Sequence, residues 1–150
     1  MIKILFVCHG NICRSPMAEF VFKDIVKKAG KTGDFLIASA GTDTYGSSPP
    51  HNGTKSKLKT VGITIENKFS ARLIKADYGK YDYIIGMDRQ NVNSMYRLFD
   101  QDPQHKVFSL LEFADISRGI DDPWYTGDYD KTYDDVLLGC QALYNKLVRK

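Results

Sequence analysis

The sequence predicts an α/β fold, a single-domain three-layer sandwich whose four-stranded parallel sheet is flanked by helices. Three observations predict it. Short apolar runs alternate along the chain with segments of helical period, the pattern that parallel strands joined by crossover helices require. The first run, residues 2–7, is apolar at nearly every position, as a strand covered on both faces must be. Finally, 150 residues with 43% hydrophobic content suffice for one core, and no repeat, low-complexity run or linker divides residues 1–150.

After the first strand, Pro16 stands where the opening turn of a helix tolerates proline, with Ser15 as the expected N-cap. Met17, Phe20, Val21, Phe22, Ile25 and Val26 continue at helical spacing to a stop at Gly30. Residues 35–39 read as the second strand. Residues 41–53 (GTDTYGSSPPHNG) are dense in turn formers and read as a surface loop. Residues 55–61 predict a short helix ending at Gly62, and 81–87 (YDYIIGM) the third strand. Asp88 can cap a helix over 90–99, and 106–110 is the fourth strand. Beyond a loop over 115–129, Tyr133, Val136, Leu137, Cys140, Leu143 and Leu147 mark a long amphipathic helix with its stripe in the core. The expected strand order is 2-1-3-4, a flavodoxin-like arrangement. Such sheets bind ligands beyond the carboxyl ends of their strands, near the switch in strand order.

Charge and cysteine content narrow the function. A net charge of +3 and a pI near 8.7 favour anionic ligands. The lysines are scattered, with Lys55, Lys57 and Lys59 the densest group, so a nucleic-acid partner is not expected. No apolar stretch approaches the roughly 20 residues of a membrane span. The three cysteines, Cys8, Cys13 and Cys140, and a first strand without a signal-peptide pattern predict free thiols and a cytoplasmic protein. His9 lies in the loop after the first strand, and His51 and His105 read as surface residues; none has metal-ligand spacing. No metal and no other cofactor is expected.

Residues 7–16, VCHGNICRSP, carry the chemistry. Gly10 and Asn11 can take positive φ, so the chain can curl tightly after Cys8. A curl that ends at a helix N-terminus turns several backbone N–H groups inward and makes an anion cradle. Cys8, His9, Gly10, Asn11, Ile12, Cys13, Arg14 and Ser15 are thus the candidate phosphate-binding residues. The Arg14 guanidinium suits two phosphoryl oxygens at once. Positive potential there favours a Cys8 thiolate, a nucleophile beneath a bound phosphate. Ser15 can donate to that thiolate and stabilise it again when it leaves. A buried structural cysteine with an unrelated arginine does not account for Gly-Asn inside the loop and Ser-Pro after it.

A thiolate that displaces an alkoxide or phenoxide from phosphorus needs a proton donor for the leaving group. Asp102-Pro103 and Asp122-Pro123 are candidates. Only Asp122 is followed by aromatics, Trp124 and Tyr125, able to wall an aryl pocket. Asp121 is the alternative, and the neighbouring carboxylates are expected to raise one another's pKa.

These motifs resemble the low-molecular-weight protein tyrosine phosphatases over essentially the whole chain: VCHGNICRSPMAE at 7–19, SAGT at 39–42, the tyrosine-bearing loop up to Pro49-Pro50, YDYIIGMD at 81–88 and DDPWY at 121–125. The resemblance implies a cysteine-based, metal-independent phosphatase of phosphotyrosine in proteins, with Cys8, Arg14 and Asp122 catalytic. It implies Ile12, Tyr45, Trp124 and Tyr125 as pocket wall, though Tyr45 reads equally as a loop tyrosine packed on the rim. It implies Ser15, Ser39 and Asp88 as loop support, Ser39 holding Asn11; helix capping accounts for Asp88 nearly as well. It suggests a reversible Cys8–Cys13 disulfide that shields the nucleophile, the alternative being a buried filler at Cys13. Inorganic phosphate and vanadate are the expected inhibitors, and a monomer or weak dimer the expected state. The family often has a histidine shortly before the Ala-Arg pair, absent from ENKFSAR at 66–72, so the outer support of the loop must differ.

Other readings are an arsenate reductase or a protein arginine phosphatase on the same fold, a non-catalytic phosphate-binding module, and a nucleotide-binding flavodoxin-like module. Arsenate reduction needs further cysteines, and residues 79–105 contain none. Arginine-directed relatives commonly carry threonine after Gly-Asn, where this chain has Ile12, whose apolar branches suit an aryl ring. Pure binding needs neither thiolate nor acid. The nucleotide motifs G-x-G-x-x-G and G-K-[ST] are missing.

Overall fold

Successive side chains of a strand point to opposite faces, and β1 (Ile2–Cys8) uses both. In the computed structural model, which describes residues 1–149, Ile4, Phe6 and Cys8 enter one core with α1 (Arg14–Lys28) and α6 (Tyr129–Val148), while Leu5 and Val7 enter a second. That second core gathers Ile84 of β3 (Tyr83–Gly86) with Met95 and Phe99 in and after α4 (Arg89–Leu98). Each large side chain fully withdrawn from water contributes about 1.5–3 kcal/mol before packing losses. The apolar run of β1 therefore reports its place at the centre of the sheet.

β1 pairs in parallel with β2 (Phe35–Gly41) on one side and with β3 on the other, and β4 (Val107–Ser109) lies beyond β3. The order is β2-β1-β3-β4, as expected. The chain leaving β1 emerges where the strand order reverses, and α1 begins six residues beyond Cys8 at Arg14. Register places Cys8 beside Gly41, the last residue of β2.

Local chemistry departs from expectation at several places. α1 starts at Arg14 with Cys13 at its N-cap, so Ser15 is not the cap: its hydroxyl is committed to Cys8 and Asn11. Pro16 still falls in the first turn, where backbone N–H groups lack intrahelical partners. The helix stops where Gly30 takes φ +69°. α2 (Asn52–Thr60) begins three residues earlier than its apolar pattern, because His51 accepts from Gly53 N–H as N-cap. α4 carries the expected Asp88 cap, with Asn91 completing a reciprocal capping box. Two single-turn helices, α3 (Asp77–Lys80) and α5 (Pro123–Thr126), and 3-10 turns at Thr32–Asp34 and Leu110–Ala114 add to the expected elements, the last taking Leu110 out of the expected 106–110 strand. In α6, Val136, Cys140, Leu143 and Leu147 are buried, but Leu137 is 37% exposed and does not join the core. Leu137, about 100° round the helix from Val136, falls at the edge of the buried stripe.

Candidate active site

The loop from Cys8 to Arg14 owes its shape to where its carbonyl groups are anchored. Thr42 N–H donates to Cys8 O at 3.0 Å, Asp43 N–H to His9 O at 2.9 Å, and His51 N–H to Ile12 O at 2.8 Å. Cys13 O accepts from Met17 N–H and from Thr54 Oγ1. In a trans peptide the following N–H points opposite the carbonyl. Anchoring these oxygens outward therefore turns the amides of His9, Gly10, Cys13 and Arg14 the other way, into the curl. Gly41 makes this closeness possible: a Cβ there would lie 2.6 Å from Thr44 Cγ2 and 2.7 Å from His9 O. Of the two residues expected at positive φ, Asn11 takes it (57°) and Gly10 does not. Asn11 can do so because its side chain is held on three sides. It donates to Ser15 Oγ at 2.7 Å and to Ser39 Oγ at 3.0 Å, and accepts from Ala71 N–H at 3.0 Å.

Above the loop lies a cleft of about 330 Å³, lined by Cys8, His9, Gly10, Ile12, Cys13 and Arg14 on its floor and by Tyr45, Ser48, Ser70, Asp122, Trp124 and Tyr125 around it. Cys8 Sγ is 3.0 Å from Ser15 Oγ. Arg14 is 2% exposed; its Nη1 donates to Asp88 Oδ2 at 2.6 Å and to Ile120 O at 2.8 Å, while Nη2 lies 3.5 Å from Asp122 Oδ2. Burial opposes the guanidinium's charge, but Cys8 and Asp88 more than offset it, and its proton is held more tightly than usual. Asp122 caps α5 by accepting from Trp124 N–H at 3.1 Å, so the cap that starts this turn also aims its carboxylate at the cleft. Asp121 is turned to Lys131 at 2.8 Å, and that hydrogen bond draws it below the usual carboxylate range, opposite to the mutual raising expected.

The aromatic residues stand at the rim. Tyr45 and Tyr125 are each 82% exposed, and Trp124 packs edge-on against His51 at 5.6 Å. Ser70 fastens the Tyr45 loop, accepting from Ser48 N–H at 2.9 Å and donating to Gly46 O at 3.1 Å. His51 is not a free surface residue: it stacks on Tyr129, whose hydroxyl lies 2.7 Å from His51 Nδ1 and 3.8 Å from Cys13 Sγ. Burial pushes the Cys13 thiol up to about 11, with the Tyr129 hydrogen bond opposing it. His105 is exposed, and His9 pairs with Asp43 at 3.6 Å. All three cysteines are buried and unbridged.

Every residue proposed from sequence for the phosphate loop or the pocket wall, apart from Asn11 and Ser15, lines this cleft; those two lie behind it, joined to Cys8 and Ser39. Sequence reasoning missed Glu19, Lys68, Ser48, Ser70 and Tyr129. The missing histidine in residues 66–72 was the one signal of Lys68, which reaches Ser39 O at 3.1 Å and Glu19 at 3.1 Å. Among the described residues no group of histidine, cysteine and carboxylate side chains is arranged to hold a metal, and no helix is long and apolar enough to cross a membrane.

The comparisons with known proteins agree with this geometry. The family model described as "Low molecular weight phosphotyrosine protein phosphatase" matches residues 3–150. The low molecular weight protein-tyrosine-phosphatase YfkJ of Bacillus subtilis is 36% identical, with 95% of this chain and 94% of that protein covered. PtpA of Staphylococcus aureus, of the same description, is 34% identical over 99% of this chain and 96% of its own. In three dimensions the crystal structure of YfkJ superposes with a TM-score of 0.95 at 35% identity, covering 99% and 96% of the two chains. The low molecular weight protein tyrosine phosphatase SP-PTP of Streptococcus pyogenes gives 0.87 at 40% identity, covering 98% and 93%. The chain belongs to the low molecular weight phosphotyrosine protein phosphatase family and is a cysteine-based protein-tyrosine phosphatase.

Proposed function

We propose that Cys8, Arg14 and Asp122 carry the reaction on phosphotyrosine in protein substrates. One observation carries this assignment: a buried thiol, a buried guanidinium and a carboxylate 3.5 Å from that guanidinium face one cleft at the switch in strand order. The inward amides and Arg14 hold the equatorial phosphoryl oxygens, and Cys8 Sγ attacks phosphorus in line. The S–P bond forms as the P–O bond to the tyrosyl oxygen breaks, and Asp122 gives its proton to the departing phenoxide. Asp122, now a carboxylate, takes a proton from water, which attacks the cysteinyl phosphate. Phosphate leaves, and Ser15 donates to the returning thiolate.

Ile12 and the rim aromatics Tyr45, Trp124 and Tyr125 take the aryl ring, while Ser15, Ser39 and Asp88 hold the loop and Arg14. Cys13 is the thiol closest in sequence to trap an oxidised Cys8 as a disulfide. We place the protein in a reducing cytoplasmic compartment as one domain over residues 1–150, acting as a monomer or weak dimer, with phosphate and vanadate as inhibitors. The test is hydrolysis of para-nitrophenyl phosphate without added metal at about pH 6, for the wild type and Cys8→Ser. Vanadate-sensitive turnover that disappears in Cys8→Ser supports the assignment. A folded, reduced wild type without turnover refutes it, and phosphoarginine and arsenate are then the substrates to try.

A further inference from the structure

α4 turns Asn91 and Met95 into the protein and leaves Arg89, Gln90, Asn93 and Arg97 exposed. At 3.6 residues per turn these four fall within about 100° of the helix circumference, on one side. The helix carries no aspartate or glutamate. Two hollows join this side to the catalytic cleft. One, of about 300 Å³, is lined by Thr42, Gln90, Asn93, Ser94 and Arg97 and shares His9 with the cleft. The other, of about 420 Å³, is lined by Asp88, Arg89, Gln90, Arg118 and Asp121 and shares Asp122 with the cleft. Gln90 belongs to both, so the three are contiguous. The rim aromatics Tyr45, Trp124 and Tyr125 line neither hollow.

The charges around the hollows are matched, with two exceptions. Asp88 and Asp122 lie 2.6 and 3.5 Å from the Arg14 guanidinium, and Asp121 lies 2.8 Å from Lys131. Arg118 makes a two-point pair with Asp135, both contacts at 2.9 Å, and His9 faces Asp43 at 3.6 Å. Arg97 donates to Ser94 Oγ at 3.2 Å, and among the described residues neither Arg97 nor Arg89 has an ion-pair partner. Two guanidinium groups thus project uncompensated from an acid-free face, and a guanidinium suits a carboxylate by two parallel hydrogen bonds. The helix separates them by about 12 Å along its axis, which an extended peptide spans in about four residues.

We propose that this side of α4 docks an acidic stretch of the phosphotyrosine substrate, with Arg89 and Arg97 pairing to carboxylate side chains while the phosphotyrosine occupies the cleft. Charge complementarity names the occupant. The continuity of the hollows with the cleft puts that stretch on the same chain as the phosphotyrosine. The inference rests on the cleft being where phosphotyrosine is hydrolysed, and it gives the enzyme a preference that the aryl ring alone does not supply.

The test compares two peptides with phosphotyrosine at the centre and about four residues on each side, glutamate in one and glutamine in the other. Two exposed ion pairs give the glutamate peptide a kcat/KM about tenfold higher with the wild type. The gain is expected in KM rather than kcat, and it shrinks at about 0.5 M salt. Arg89→Gln combined with Arg97→Gln should bring the ratio of the two peptides close to one, and the corresponding double glutamate variant should invert it. A wild type without the preference overturns the inference. So does a preference that survives in the double glutamine variant, because an effect on folding alone lowers both peptides alike and leaves their ratio unchanged. Fluorescence anisotropy with Cys8→Ser gives the ratio of the two Kd values without turnover. A wild type inactive on para-nitrophenyl phosphate removes the catalytic assignment, and the Kd ratio then still decides docking, so the two failures are distinguishable.

Discussion

Asp88 Oδ2 meets Arg14 Nη1 at 2.6 Å, with the guanidinium side chain 3% exposed and the carboxylate side chain 26%. The pair orients more than it neutralises. By committing Nη1 to Asp88 and to Ile120 O, it fixes the plane of the guanidinium and leaves Nη2 towards Asp122 and the cleft. Asp88 can do this because it caps α4 with its other oxygen, accepting from Asn91 N–H at 2.9 Å. A helix start thereby becomes a clamp on the guanidinium proposed to bind phosphate.

Removing that clamp costs more than a surface ion pair. Breaking a buried pair by deleting one partner typically costs about 3–5 kcal/mol, discounted here because Asp88 is partly exposed. Asp88→Ala is expected to lower Tm by several degrees and to raise the inhibition constant for inorganic phosphate about tenfold. Asp88→Asn keeps the cap and loses the charge, so it should lose less Tm than Asp88→Ala while still weakening phosphate. Equal phosphate affinity in wild type and Asp88→Asn would show that Arg14 is held without Asp88.

Asp122→Asn separates acid from cap. Asparagine caps helices as well as aspartate does, so the bond from Trp124 N–H and the shape of the rim persist. The proposed proton donor is gone, and kcat should fall by about two to four powers of ten while phosphate still binds. Unchanged kcat removes Asp122 from the mechanism.

The alkaline limit of stability follows from three raised groups. Cys13 moves from 9.0 to about 11, and burial also pushes Cys140 and Tyr129 upward. The folded state holds these protons more tightly than the unfolded chain does. Between the two Cys13 values the unfolded state binds fewer protons, and stability falls as pH rises. The Cys13 contribution is complete below about pH 9 and gone above about pH 11, with a magnitude of about 3 kcal/mol. Urea midpoints from about pH 8 to about pH 10.5 should decline, and less steeply in Cys13→Ser, which has no thiol to titrate.

Gly41→Ala tests the closeness of β2 to the loop. The added methyl must displace Thr44 Cγ2 and His9 O, 2.6 and 2.7 Å from its position, and it crowds Asn11 Cβ at 3.0 Å. Overpacking of this kind costs about 1–3 kcal/mol. Its mark should be a drop in kcat/KM much larger than the drop in Tm predicts. A variant with normal kcat/KM shows that the loop relaxes freely and that Gly41 does not shape it.

The parts of the molecule written in local patterns were legible. The apolar run of β1, the Asp88 cap and the Gly30 stop each depend on neighbours in sequence, and the structure has all three. That Cys8, Arg14 and Asp122 would meet in one cleft was legible too, because thiol, guanidinium and acid have few other reasons to stand in those motifs. What stayed hidden depends on partners distant along the chain. Ser15 reads as a cap until Asn11 and Cys8 are seen to claim its hydroxyl. Gly10 and Asn11 both read as able to take positive φ, yet only Asn11 does, since Ser15, Ser39 and Ala71 hold its side chain there. His51 reads as surface because Tyr129 lies 78 residues away. Lys68 is announced only by the histidine missing from residues 66–72, since its partners Glu19 and Ser39 belong to other elements.

The floor and the rim of the cleft come from different kinds of structure. Cys8 ends β1, the strand that pairs with both β2 and β3, whereas Tyr45, Trp124 and Tyr125 ride on loops and a single helical turn. Exchanging rim side chains disturbs little that folding depends on, whereas exchanging floor residues disturbs the core itself. Substrate preference in this scaffold is therefore free to drift by single substitutions at the mouth, while the chemistry beneath it stays anchored to the part of the molecule that opens last.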